Sequence, residues 1–168
     1  MPTLGRKSLA VAEQMERVRE ALMTLSTFTA SATTCEVVPG DEQVGEEGQL
    51  RIRGRRFTDL VQSSEPLLAG VNRPVLDIEL DPATGRGQLK GVFVLQPDGV
   101  SGRWDGELLG RIEKGLVTAS GLARGTGDLE SLILYSEFRQ TADRPAISPP
   151  CRDPQAFFEM EGVIQRED

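Results

Sequence analysis

At 168 residues with 38% apolar side chains, the chain is long enough for one domain with its own hydrophobic core. Its formal net charge of −7 repels phosphate backbones and anionic lipid, which argues against nucleic-acid and membrane-surface partners. Histidine is absent, which removes serine–histidine and cysteine–histidine nucleophile pairs, and two isolated cysteines make no zinc site, so no metal and no cofactor is expected.

From the N-terminus, Glu13, Glu16, Arg17, Arg19 and Glu20 interrupt the apolar run that a signal peptide needs, and no stretch approaches the roughly 20 apolar residues of a membrane span. The expected location is the cytoplasm, an exported mature chain being the other reading. Residues 8–26 predict an amphipathic helix. Ser8 can cap its start, the stripe Val11, Met15, Val18, Leu22 and Leu25 recurs at helical spacing, and Glu13 and Arg17 pair on a more polar face. The stripe either packs on the protein's own core or docks another subunit or a partner's groove, so a homo-oligomer joined through 8–26 is one expectation. Residues 27–34 are small and polar and read as a linker, which divides the chain into 1–34 (helix and linker) and 35–168 (a β-domain).

Cys35 and Cys151 bracket the β-domain as two buried thiols or as a disulfide tying its ends. After Val38, residues 39–48 read as an acidic, glycine-bearing loop. The pattern then changes to period two. Strands are predicted at 49–60, 75–80, 88–95, 103–113, 116–124, 129–140 and 157–165, with Asp81 to Gly87 as a tight connection and 141–154 as a proline-rich loop. In the first of these, Arg51, Arg53 and Arg55 share a face opposite Leu50 and Ile52, and with Arg56 they read as a solvated strand face or, in the sharper reading, a phosphate site.

The strand at 103–113 is the most patterned. Trp104, Gly106, Leu108, Gly110 and Ile112 fall on one side, while Arg103, Asp105, Glu107, Arg111 and Glu113 fall on the other. Glycines on one strand face suggest a sharply curved sheet or a close neighbour. Many strands joined by short turns mean antiparallel β, as a barrel or a sandwich, and the glycines in the middle strands favour the barrel.

Four ordered segments, Gly48 to Gly54, Asp81 to Gly91, Gly102 to Gly115 and Gly121 to Glu130, resemble the barrel shared by allene oxide cyclases and dirigent proteins, especially its prokaryotic relatives. The resemblance covers about residues 48–165 and leaves out 8–26. It departs at Ser131, where such relatives often place a glycine. It implies an all-β protein, an eight-stranded antiparallel (calycin-like) barrel, preceded here by the N-terminal amphipathic helix. It also implies an interior pocket and frequent oligomers. Plant members cyclise an epoxide or steer radical coupling by holding a reactive apolar substrate in one conformation, which is catalysis by orientation. Their catalytic motifs are not recognisable in this chain.

An eight-stranded barrel is just wide enough to be filled by side chains or to hold one small ligand. Trp104, Leu108 and Ile112, with Phe93 or else Val92 and Val94 beside them, are the candidate interior, as core or as ligand lining. Thr118 and Ser120 lie between Leu116 and Leu122 on one face and either orient a ligand or face water. Tyr135 and Glu137 are the candidates for chemistry, the alternative being a packed amphipathic tyrosine. Asp105, Glu107 and Glu113 read as a solvated outer face. Asp128 follows Gly125-Thr126-Gly127 and reads as a turn organiser; a phosphate loop there lacks the following helix and lysine. Three functions are compatible with this: a barrel binding a small apolar molecule, a cofactor-free cyclase or isomerase using the barrel as a mould, and an assembly protein docking through 8–26.

Overall fold

A computed structural model describes residue 13, residues 25–142 and residues 149–167. Among the described residues nine strands form one sheet: β1 (Leu25–Val38), β2 (Asp41–Val44), β3 (Leu50–Ser63), β4 (Gly70–Asp81), β5 (Arg86–Pro97), β6 (Trp104–Glu113), β7 (Leu116–Gly125), β8 (Leu132–Thr141) and β9 (Ala156–Arg166). Sequence neighbours from β3 to β9 pair antiparallel. β1 then pairs with β9 on one edge (Leu25 opposite Gln165 to Thr34 opposite Ala156) and with β3 on the other (Ala30 opposite Ser63 to Val38 opposite Arg56). That second pairing closes an eight-stranded antiparallel barrel and removes its free edges. The short β2 is the extra strand. It carries on from β1 along the same edge of β3, Asp41 opposite Arg53 to Val44 opposite Leu50.

Three readings change here. Residues 27–34 are not a linker but the body of β1, so the barrel begins at Leu25, and Leu25 and Ser26 belong to a strand rather than to the end of a helix. The rest of the predicted helix, residue 13 aside, lies outside the described residues. Part of the expected 39–48 loop is β2. The β1 signal was an incomplete alternation, mostly of small residues: Phe28, Ala32 and Thr34 are buried, Thr27, Thr29 and Ser31 are exposed, and Thr33 is buried out of phase. With Phe28 as the one bulky apolar residue of 27–34, the period of two reads as a polar tether.

The barrel interior is apolar. At one end, the connections after β3 and β7 bring in Leu68 and, from a single 3-10 turn (Gly127–Leu129), Leu129, both buried with Leu95, Trp104 and Leu134. The Trp104 indole N–H donates to the Leu67 carbonyl at 2.8 Å, so the one polar atom of this plug is satisfied. In the middle, Phe93 packs edge-on against Phe138 with ring centroids 6.4 Å apart. Its ring lies over Gly106 of the neighbouring strand, where an added Cβ would come within 2.5 Å of Phe93 Cζ. The glycine of the patterned strand is therefore the seat of a specific ring.

Two irregularities reverse the alternation of side chains. In β3 the pairing with β4 shifts between Ile52 and Arg55, and Gly54 there takes φ +66°, the left-handed region of a β-bulge. Its N–H donates to Asp77 Oδ1 at 2.9 Å. That bond, with Arg53 alongside, holds the Asp77 carboxyl below its ordinary value. Before the bulge the even-numbered Ile52 is buried; beyond it the odd-numbered Asp59 and Val61 are. A second shift lies in β1 between Thr34 and Glu36, at Cys35. Ser131 takes φ +71°, the left-handed conformation for which glycine is the usual residue.

Candidate functional site

A cavity of about 430 Å³ occupies the barrel interior on the far side of Phe93 and Phe138 from the Trp104 plug. This is within the usual size range of small-molecule sites. Most of its wall is apolar, with Phe57, Leu76, Ile78, Leu89, Leu108 and Phe158 contributing. Its polar lining residues include Arg55, Gln140, Gln155 and three that sit side by side on three adjacent strands. Thr34 (β1) faces Asp59 (β3), which faces Asn72 (β4), in one row across the ladders. All three are at most 7% exposed.

The Thr34 hydroxyl donates to Asp59 Oδ1 at 2.7 Å, and the Asn72 amide, opposite Asp59 in the ladder, acts to lower the carboxyl's pKa as a hydrogen-bonding neighbour. Burial pushes the Asp59 carboxyl up to about 6, outweighing the two hydrogen bonds, which act to lower it. Asn72 Oδ1 has no partner. The orientation of the amide follows from chemistry, since turning it over would set its oxygen against a carboxylate oxygen. The inner end of the cavity therefore presents an unpaired carbonyl beside a carboxylate, both acceptors. Of the charged side chains among the described residues, only Asp59 and Arg55 line the cavity. Arg55 is already engaged: it donates to Glu42 on β2 and, at 3.1 Å, to the Pro39 carbonyl.

The loop that follows β8 returns beside the cavity. Gln155, which lines it together with Gln140, donates its backbone N–H to the Thr34 carbonyl at 2.8 Å. Cys35 and Cys151 are joined in a disulfide with Cα atoms 5.7 Å apart, fastening this loop to β1 at the residue of the second register shift.

The residues singled out from the sequence distribute as follows. Leu108 lines the cavity. Phe93, Trp104 and Ile112 point inward as core: Trp104 is fully buried in the plug, Phe93 lies in the middle layer, and Ile112 is 7% exposed. Val92 points outward and is half-exposed, so Phe93 is the inward member of that pair of options. Thr118 and Ser120 are on the outer surface, since the inward positions of β7 are Val117, Ala119, Gly121 and Ala123. Tyr135 and Glu137 are also outside, and the Tyr135 hydroxyl donates to Glu137 Oε1 at 3.0 Å rather than reaching the interior. Glu137, Thr118 and Ser120 border a shallow outer depression of about 730 Å³, larger than the cavity. Its ion pair, Arg139 with Glu159, is solvated, and among the described residues it holds no unpaired buried polar atom.

Arg55 is corrected as well: the Gly54 bulge turns it from the Arg51–Arg53 face toward the cavity. Arg51 and Arg53 stay outside, opposite Glu79 and Asp77. Asp105, Glu107 and Glu113 lie on the outward positions of β6. The Asp128 carboxylate accepts from Ser101 N at 3.2 Å and so joins two neighbouring turns.

Sequence reasoning did not reach Asp59, Asn72 and Thr34. Simple alternation puts Asp59 with the arginines of β3 on the solvent side. The available signal was the glycine inside that strand, because an isolated Gly there suggests a bulge. Neither family models, nor curated proteins, nor solved structures give a match to this chain.

Proposed function

We propose that the protein binds a small, mainly apolar molecule inside its barrel. The observation that carries this reading is the 430 Å³ apolar cavity with an unpaired, buried Asn72 carbonyl at its inner end. A buried polar group without a partner costs about 1–3 kcal/mol, and a ligand that completes it recovers that energy. The ordered resemblance to allene oxide cyclase and dirigent barrels, whose members hold apolar substrates, points the same way.

The test uses N-phenyl-1-naphthylamine, a neutral probe whose fluorescence rises in apolar surroundings. The native protein enhances its emission saturably at one site per chain. Val117→Trp, which places an indole at the cavity wall, abolishes the enhancement while leaving the circular dichroism unchanged. No saturable enhancement, or an unchanged one in Val117→Trp, rejects the reading. Native mass spectrometry of the freshly purified protein would show the natural ligand as an added mass.

A second reading, a cofactor-free cyclase or isomerase, is favoured by Asp59. A carboxyl that titrates near 6 inside an apolar cavity is close to the working pH of a general acid or base. If it applies, Asp59→Asn keeps the probe bound and loses turnover of the co-purified compound. Turnover that survives the substitution sinks it. As to location, the Cys35–Cys151 disulfide supports an oxidising compartment over the cytoplasm.

A further inference from the structure

We infer that the inner end of the cavity recognises an amine: a protonated ammonium head on an apolar body, with Asp59 as its counter-ion and Asn72 Oδ1 as its second acceptor. The inference rests on the ligand-binding reading of the same cavity and adds the chemistry of the head group.

Three observations carry it. First, the one buried side-chain atom of the row Thr34–Asp59–Asn72 without a hydrogen-bond partner is an acceptor, Asn72 Oδ1, and the Thr34 hydroxyl already donates to Asp59. A ketone, ether or carboxylate head brings only acceptors and would leave Asn72 Oδ1 as it is. An ammonium brings three donors. Second, among the described residues the carboxylate has no cation of its own. The elements packed against Asp59 offer it Thr34 from β1 and Asn72 from β4, and the only other charged group on the cavity wall among the described residues, Arg55, is tied to Glu42 and Pro39. A buried charge without a partner is costly, so a cationic ligand supplies what the fold omits. Third, most of the rest of the lining is apolar or aromatic, with Phe57, Phe138 and Phe158 among it, and suits a hydrocarbon or aromatic body. The net charge of −7 adds a long-range attraction for cations.

The test compares three probes with one body and different heads: 2-(1-naphthyl)ethylamine, 2-(1-naphthyl)ethanol and the methyl ether of that alcohol. Each is titrated calorimetrically into the intact, disulfide-bonded protein at pH 7.5. The amine is expected to bind tightest, about tenfold or more above the ether, as hydrogen bonds to a charged group allow. Asp59→Asn removes that advantage and leaves the ether unaffected. Lowering the pH to 5 neutralises Asp59, which titrates at about 6, and weakens the amine about tenfold while the alcohol and ether change little.

Equal binding of the three probes, or an amine advantage that survives Asp59→Asn, overturns the head-group inference and leaves the cavity reading intact. Failure of all three probes together with N-phenyl-1-naphthylamine overturns the cavity reading itself. Failure of the three naphthyl probes while N-phenyl-1-naphthylamine binds overturns the amine inference alone.

Discussion

Replacing Asp59 with asparagine should stabilise the protein, although the residue lies at the centre of the proposed site. In the unfolded chain the carboxyl has its ordinary value of 3.8, and in the barrel burial raises it to about 6. Below 3.8 the group is neutral in both states and contributes no pH dependence. Between 3.8 and about 6 the folded protein holds the proton that the unfolded chain has lost, so stability falls as pH rises. Above about 6 the full penalty of a buried carboxylate applies. The gap between the two values corresponds to about 3 kcal/mol.

Asparagine has the same shape and no charge. Its amide oxygen can accept from Thr34, and its N–H can donate to the Asn72 carbonyl that now lacks a partner. Asp59→Asn should therefore equal the native protein in stability near pH 3.5 and exceed it by up to about 3 kcal/mol at pH 7.5, a rise in Tm of about 6–12 °C for a chain of this size. Urea melts of both proteins from pH 3.5 to 8, disulfide intact, give the difference directly. Asp77, whose carboxyl is held low by the Gly54 N–H, imposes the opposite slope at lower pH, but it does so in both proteins and cancels. A difference that does not vary with pH, or an Asp59→Asn protein less stable than native at pH 7.5, would refute the reasoning. This is the stability cost expected of a site kept for binding rather than for folding.

Gly106→Val should destabilise by about 1–3 kcal/mol in urea melts, because the new side chain takes the space of the Phe93 ring and overpacks the middle of the barrel. Ser131→Gly should raise stability by about 0.5–1 kcal/mol, since the left-handed backbone at φ +71° costs serine about 1–2 kcal/mol, partly offset by the greater freedom of glycine in the unfolded chain. Replacing Cys35 and Cys151 together by serine opens a loop with a sequence separation of 116 residues and should cost about 3–5 kcal/mol, read as a lower Tm equal to that of the reduced native protein.

The candidate site was less legible than the fold because its residues lie beyond the places where local patterns break. Trp104, Leu108 and Ile112 were assignable to the inside from alternation, since β6 runs without a bulge and pairs in register with both neighbours. The same arithmetic put Thr118 and Ser120 in play as lining and failed, because a strand with small residues on both faces, Ala119 and Gly121 against Thr118 and Ser120, gives alternation nothing to choose by. Asp59 failed for a sharper reason: one inserted residue at Gly54 exchanges the two faces of everything after it.

By itself the sequence determined an antiparallel β-protein with most of its strands in place, an acidic outer face on β6, and a chemistry without histidine. These are properties of short windows and of composition, and they need no knowledge of what lies opposite. Only the tertiary structure decided that residues 25–38 are a strand, because its partners are β3 and the far end of the chain at β9. It alone also decided that Asp59 and Arg55 turn inward, because a bulge becomes visible only in register against a partner strand. The glycine-patterned strand reports where the inside is, and the bulged strand beside β4 supplies what the inside holds.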